Sequence, residues 1–116
     1  MVNLFPVCLE DCGYYFLIGA GKGEILFTGE LRRTVEDCEK ASESLKESCG
    51  YEYLFDLYTE RSKVSKADNV YYYTACDKAG RMLGRSFIYV SEEERDEGLK
   101  FLRAHLGEAK FLKNRR

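Results

Sequence analysis

Residues 14–50, YYFLIGAGKGEILFTGELRRTVEDCEKASESLKESCG, and residues 71–107, YYYTACDKAGRMLGRSFIYVSEEERDEGLKFLRAHLG, read as one unit written twice. A shift of 57 positions lays Tyr14-Tyr15-Phe16 on Tyr71-Tyr72-Tyr73, Gly23 on Gly80, Leu26 on Leu83, Thr34 on Ser91, Leu45 on Leu102 and Gly50 on Gly107. Over the whole of 14–50 only seven pairs are identical, so placement carries the weight. Strand aromatics, a turn glycine, a helix N-cap, a helix core position and a glycine after the helix recur in the same order. Upstream, Leu4-Phe5 and Glu10 recur at Leu54-Phe55 and Glu60 with a spacing of 50, so the second unit carries about seven extra residues near 61–69. A unit of this size cannot bury its apolar side alone, and two of them are expected to share one sheet and one core.

Within each unit the periodicities set the elements. Residues 3–10 alternate, with Phe5, Val7 and Leu9 against Pro6, Cys8 and Glu10, as a half-buried strand does. Pro6 has no N–H to give, which sends that strand to a sheet edge. Tyr14-Phe16-Ile18 predicts a second strand, Gly19 to Gly23 a hairpin turn, and residues 24–30 a third strand with Ile25 and Phe27 on one face. Thr34 opens a helix expected to run to 49. Its hydroxyl can take a free N–H of the first turn, Glu36 and Asp37 suit the positive end of the dipole, and Gly50 supplies the C-cap. Cys38, Ala41, Leu45 and Cys49 form the apolar stripe of that helix. The second unit predicts a strand through Tyr53-Phe55-Leu57, a loop over 61–69, strands over 70–76 and 81–87 around a turn at 77–80, and a helix over 91–106. Ser91 with Glu94 makes a capping box, Gly98, Leu99, Leu102 and Leu106 face inward, Gly107 is the C-cap, and 109–112 can add a short strand.

Composition narrows the function classes. With 116 residues, 45% apolar and 33% charged, the chain suits a single globular domain, two repeats at about 4–50 and 54–107 with a short basic tail over 108–116. A net charge of −2 gives no overall pull toward nucleic acid or an anionic membrane, and the basic tail reads as a solvated end. No apolar run approaches the ~18–20 residues of a membrane span. Met1 to Cys12 shows no basic leader or cleavage site, so a cytoplasmic protein is expected. Five cysteines without a CxxC pair, and a single histidine, make a poor metal-ligand set; Cys8 and Cys12 on a strand stand roughly 13 Å apart. They read as free thiols in a reducing compartment.

Three features invite a sharper reading. Gly19-Ala20-Gly21-Lys22-Gly23-Glu24 has the look of a phosphate loop, but neither the P-loop nor the dinucleotide spacing is present and a strand follows where a helix is needed. A hairpin turn accounts for it. His105 sits in the last turn of its helix, where a cation complements the dipole, and any histidine-dependent catalysis would rest on this one ring. The tyrosines are the third feature. Tyr15 and Tyr72 fall on the strand faces opposite Phe16 and Tyr73, with Arg81 and Arg85 near them in sequence. Such residues can stack bases on an open sheet, and they are also good strand formers with amphipathic rings.

The run Phe16-Leu17-Ile18-Gly19-Ala20-Gly21-Lys22-Gly23-Glu24-Ile25-Leu26-Phe27-Thr28-Gly29-Glu30-Leu31, followed by Thr34, resembles the first repeat of the YegP-like family, small and mostly bacterial proteins of unknown function. That family's pattern is an aromatic strand, a K-A-x-N-G-E turn, a strand ending in S-E, then S/T and a helix with G-I-x-x-V. Gly98-Leu99-Lys100-Phe101-Leu102 fits the helix pattern better than Ala41-Ser42-Glu43-Ser44-Leu45, and Lys22 stands where the turn asparagine would be. The resemblance spans about residues 4–107. It implies an α+β fold of tandem β-β-β-α(-β) repeats, one antiparallel sheet with two helices on one face, terminal strands exchanged between the halves, and no catalytic residues to carry over.

Subtraction then sets the functional expectation. Without a histidine pair, metal cluster, nucleophile motif or phosphate loop, the chain reads as a non-catalytic binding or interaction module, without cofactor or metal, and as a monomer or weak dimer. Its expected contact surface is the outward sheet face around Tyr15, Tyr72, Arg81 and Arg85, toward a protein partner, since these residue types are enriched at interfaces. A nucleic-acid-binding sheet is the alternative, and an enzyme with an unrecognised site comes after it.

Overall fold

The two alternating segments of each unit pair as hairpins, and the hairpins join edge to edge. A computed structural model describes residues 2–9, 12–21, 24–61 and 68–111. In chain order the elements are β1 (Val2–Leu9), β2 (Gly13–Ala20), β3 (Glu24–Gly29), α1 (Val35–Ser48), β4 (Phe55–Arg61), β5 (Asn69–Cys76), β6 (Met82–Ser86) and α2 (Glu92–His105), with 3₁₀ turns at Glu52–Leu54 and Leu106–Glu108. The six strands form one antiparallel sheet in the order β1-β2-β3-β6-β5-β4. Two three-stranded meanders therefore meet along β3 and β6, through the pairs Phe27↔Ser86, Thr28↔Arg85 and Gly29↔Gly84. The fold is α+β. The buried residues of both helices and of one sheet face form a single cluster, which puts both helices on that face.

Many features of the first half reappear at the same spacing of 57 in the second. Each hairpin carries an irregularity, between Ile18 and Gly19 and between Ala75 and Cys76. The bridge Tyr14↔Arg32 has its counterpart in Tyr71↔Tyr89. Across the seam, Glu30 N–H donates to Leu83 O at 3.0 Å and Phe87 N–H to Leu26 O at 3.2 Å. Thr28 and Arg85, paired directly across the seam, hold corresponding positions.

A row of rings makes the core. Phe16 stacks near Phe27 with centroids 6.2 Å apart, Phe27 lies 6.2 Å from Tyr73, and Phe55 meets Tyr73 edge-on at 6.1 Å. Leu45 from α1 and Leu102 from α2 are fully buried against this row. The rings lie low on the sheet because Gly29 and Gly84 face each other at the seam. A Cβ at Gly29 would sit inside the Phe16 ring, and one at Gly84 would meet the Thr28 carbonyl and the Phe27 ring.

The helices start as their sequences predict. The Thr34 hydroxyl accepts from Asp37 N–H at 3.0 Å, and the Ser91 hydroxyl accepts from Glu94 N–H at 3.1 Å. Their ends differ from expectation. Neither Gly50 nor Gly107 takes the left-handed conformation. Cys49 N–H and Gly50 N–H instead bond back to Lys46 O and Glu47 O, and Gly107 lies inside the 3₁₀ turn, so tightened last turns satisfy the carbonyls a glycine cap would have served.

Three strand expectations also change. Ile25 and Phe27 do not share a face: the irregularity in the β2–β3 pairing turns both Leu26 and Phe27 inward and leaves Ile25 exposed. Tyr53 lies in a 3₁₀ turn and is exposed, and β4 begins only at Phe55. In β1 the core-facing residues are Val2 and Leu4, on the opposite phase to Val7. That strand is at the sheet edge, as Pro6 requires. A parallel bridge joins Leu4 to Phe111, and Lys46 Nζ holds the approach by donating to Ala109 O at 2.5 Å. The extra loop at 62–67, the Lys22-Gly23 turn and the end of the expected last strand lie outside the described residues. Among the described residues no helix is long and apolar enough to cross a membrane.

Candidate functional site

With both helices on one side, the opposite sheet face has no helix over it among the described residues. The alternation of the strands decides what it displays. Phe16, Ile18 and Tyr73 point to the core, so Tyr15 and Leu17 of β2 and Tyr72 and Thr74 of β5 point away from it. In β3 and β6 the outward residues are Ile25 and Thr28, and Met82 and Arg85; β4 adds Asp56, Tyr58 and Glu60 by register with Thr74, Tyr72 and Val70.

One half of this face is filled. Arg85 lies over the Tyr72 ring with its guanidinium carbon 4.4 Å from the centroid, and Tyr58 stacks near-parallel on Tyr72 at 5.0 Å. The Tyr72 hydroxyl donates to Glu60 Oε2 at 2.6 Å. That hydrogen bond, with some burial, pushes the phenol above its ordinary pKa. Tyr72 is consequently only 7% exposed. The other half is open. Thr28 stands where the second half has Arg85 and is too short to cover Tyr15, which leaves a hollow of about 450 Å³ lined by Tyr15, Leu17, Ile25, Thr28, Gly29 and Leu31.

The four surface residues expected from sequence separate into different roles. Tyr72 and Arg85 do come together on the outward face, where Tyr72 lies covered by Arg85 and Tyr58. Tyr15 is half-buried in the wall of the hollow. Arg81 belongs to the turn between β5 and β6, where its Nε pairs with Asp77 Oδ2 at 3.3 Å. Asp77 also accepts the N–H groups of Arg81 and Ala79, chiefly the former, and its carboxyl is held below the ordinary range. Sequence reasoning missed Tyr58, Thr28, Thr74, Ile25 and Leu31. The signal for Thr28 was its position 57 residues before Arg85.

Elsewhere the reactive groups are quiet. Burial pushes the Cys49 thiol up to about 11 and raises Cys38 and Cys76 as well. Cys12, Cys38, Cys49 and Cys76 are free thiols, and only Cys12 is exposed. His105 is exposed and lies against Phe101, ring centroids 4.5 Å apart. No group of three or more metal-ligating side chains converges among the described residues. A second hollow of about 530 Å³ lies between α2 and β4, lined by Leu57, Leu99, Cys49 and the charged Glu52, Asp96, Lys100 and Arg103. Arg103 is already engaged there, donating to Cys49 O at 3.0 Å.

No family model matches the chain. A UPF0339 protein of Acinetobacter baylyi is 28% identical over 91 residues, which is 78% of this chain and 77% of that protein. The solution NMR structure of a UPF0339 protein from Shewanella oneidensis superposes with a TM-score of 0.78 at 21% identity, covering 97% of this chain and 92% of the other. That of the E. coli protein yegP, described as of unknown function, gives 0.77 at 18%, covering 99% and 96%. In sequence and in its six-stranded sheet with two helices, the chain resembles the YegP-like UPF0339 family of small bacterial proteins.

Proposed function

We propose that this protein is a non-catalytic binding module, a single domain of two repeats, that engages its partner through the open sheet face. The observation that carries this reading is the make-up of that face. An apolar hollow lies beside an arginine held on a tyrosine stack, and Ile25, Leu31, Met82 and Tyr58 are exposed around them. Apolar surface rimmed by polar groups favours association. The chemistry elsewhere supports a non-catalytic role. The buried thiols are raised away from the thiolate form a nucleophile needs, and His105 has an aromatic neighbour where a general base would want a carboxylate. Free cysteines favour a cytoplasmic setting. A base-stacking role is disfavoured because both faces of Tyr72 are already occupied.

The test is a pair of exposed substitutions, Ile25→Glu and Arg85→Glu, made together. The melting temperature is expected to change little, since Ile25 is exposed and Arg85 gives up a single ring contact worth about 0.5–1 kcal/mol at an exposed site, while capture of partners on the immobilised protein falls sharply. Capture that survives the double change at full strength removes this face as the contact surface.

A further inference from the structure

The two edges of the sheet end differently. Along β1 the C-terminal segment adds a parallel bridge from Phe111 to Leu4, whereas β4 has no strand beside it among the described residues. The pairing of β5 fixes what that edge offers. Tyr71 exchanges backbone bonds with Tyr89, and Tyr73 N–H donates to the Ser86 hydroxyl, so these odd-numbered residues of β5 turn their polar groups toward β6. The even-numbered residues then serve β4, Tyr72 opposite Tyr58 and Thr74 opposite Asp56. The N–H and C=O groups of Leu57 and Thr59 are left pointing out along the bare edge. Leu57, 52% exposed, stands opposite Tyr73 on the helical face, where with Cys49, Leu99 and Ala104 it lines the hollow of about 530 Å³ between β4 and α2. Arg95, buried, donates to Tyr58 O at 3.1 Å and fixes α2 against the strand. The rim of the hollow is sorted by charge. Glu92 and Glu93 precede Asp96 by three to four residues, on the stripe of α2 that Lys100 and Arg103 continue toward its end. A helix face acidic at one end and basic at the other is complementary to a reversed copy of itself.

We propose that two copies of this chain pair antiparallel along β4 about a twofold axis at Leu57, joining their sheets edge to edge. At this register Leu57 of one copy exchanges both backbone bonds with Leu57 of the other, and Thr59 N–H donates to Phe55 O in each direction. An axis at Tyr58 would instead set Asp56 directly opposite Glu60 twice, like charges on one face. α2 packs chiefly on β5, so three strand spacings of about 4.8 Å hold the two copies of α2 roughly 14 Å apart. The Leu57 pair forms the floor of that cleft, and Asp96 of each copy faces Lys100 and Arg103 of the other across it. The contact is isologous and closes after two copies, because the other edge, at β1, carries Phe111. The β4 edge is a different surface from the open face, and a dimer formed here leaves that face uncovered.

Sedimentation equilibrium of the full chain from about 10 μM to about 1 mM tests it, since half the chains are paired when the total concentration equals Kd. A monomer–dimer equilibrium is expected within that range, and amide hydrogen exchange should slow at Leu57 and Thr59 as the concentration rises. Thr59→Pro removes an N–H that the pairing with β5 does not use, so the fold should persist while Kd rises at least about tenfold. Should that variant fail to fold, Leu57→Lys at the exposed edge should raise Kd by a similar factor. Lys100→Glu, at an exposed position, should loosen the dimer several-fold with the melting temperature nearly unchanged. A chain that stays monomeric at about 1 mM overturns the proposal. So does a dimer whose protected amides lie elsewhere, or one that Thr59→Pro and Leu57→Lys leave as tight as before.

Discussion

Removing the Tyr73 hydroxyl should make this protein more stable. Tyr73 is fully buried between Phe27 and Phe55, and its Oη has no hydrogen-bond partner among the described residues. Burial raises its phenol well above the ordinary tyrosine range, the mark of a polar group stripped of solvent. An unpaired buried hydroxyl costs about 1–3 kcal/mol relative to one left in water. Tyr73→Phe removes that cost and keeps the ring, together with the bond from Tyr73 N–H to the Ser86 hydroxyl at 3.0 Å. What is lost is the dispersion of a single oxygen, about 0.1–0.2 kcal/mol for each atom it touches and roughly half a kcal/mol in total. The net expectation is a gain of about 1–2 kcal/mol. Urea unfolding should show a higher midpoint at unchanged slope. Tyr72→Phe is the matched control with the opposite sign, because its hydroxyl is bonded to Glu60; it should lose about 0.5–1.5 kcal/mol. A loss of stability in Tyr73→Phe comparable to that of Tyr72→Phe would refute the reasoning, since it would mean that the Tyr73 hydroxyl is satisfied in solution.

Three further outcomes follow from the packing. Leu45→Ala and Leu102→Ala, each at a fully buried helix position, should cost about 2–5 kcal/mol in denaturant titrations, and a value below about 0.5 kcal/mol at either would contradict its place in the core. Gly84→Ala should destabilise by at least about 1–3 kcal/mol because its Cβ meets backbone and ring, whereas Gly107→Ala, with open space around it, should be neutral within about 0.5 kcal/mol; equal melting temperatures would refute the close approach at the seam. Among Cys12, Cys38, Cys49 and Cys76, native-state alkylation at mildly alkaline pH followed by peptide mapping should label Cys12 first and Cys49 far more slowly, since its thiol titrates only near 11; early labelling of Cys49 would contradict its burial.

Much of the fold was legible because it depends on short-range signals. Period-two alternation marked β2 and β5, Thr34 and Ser91 marked the helix starts, and Pro6 marked the edge strand. The failures lie where one residue is inserted or where two solutions compete. The irregularity at Ile18/Gly19 shifts the phase of β3 by one, and no residue type announces it, so Ile25 was placed on the wrong face. Glycines after a helix suggest a left-handed cap, yet a 3₁₀ turn serves the same carbonyls when the chain must continue into β4 or toward Phe111. The site was half legible. Sequence brought out Tyr15, Tyr72 and Arg85 by composition and phase, but the hollow depends on what Thr28 fails to cover, and its one mark in the sequence is the place of Thr28 57 residues before Arg85. Arg81 was grouped with Arg85 by proximity along the chain, although its pairing with Asp77 holds it in the turn while Arg85 lies in β6.

The seam between β3 and β6 also bears on the order in which the sheet assembles. Every other pairing within the six-stranded sheet joins strands consecutive in the chain, whereas the seam joins three residues of β3 to three of β6, with α1, β4 and β5 between them. Chain entropy charges little for closing short loops and more for long ones. Hairpins and helices can thus form within each half before the halves find each other, and the step that completes the sheet is the docking of two preformed pieces along two facing glycines. That same step sets Arg85 beside Thr28 in register, so the open face is complete only in a chain that has finished folding.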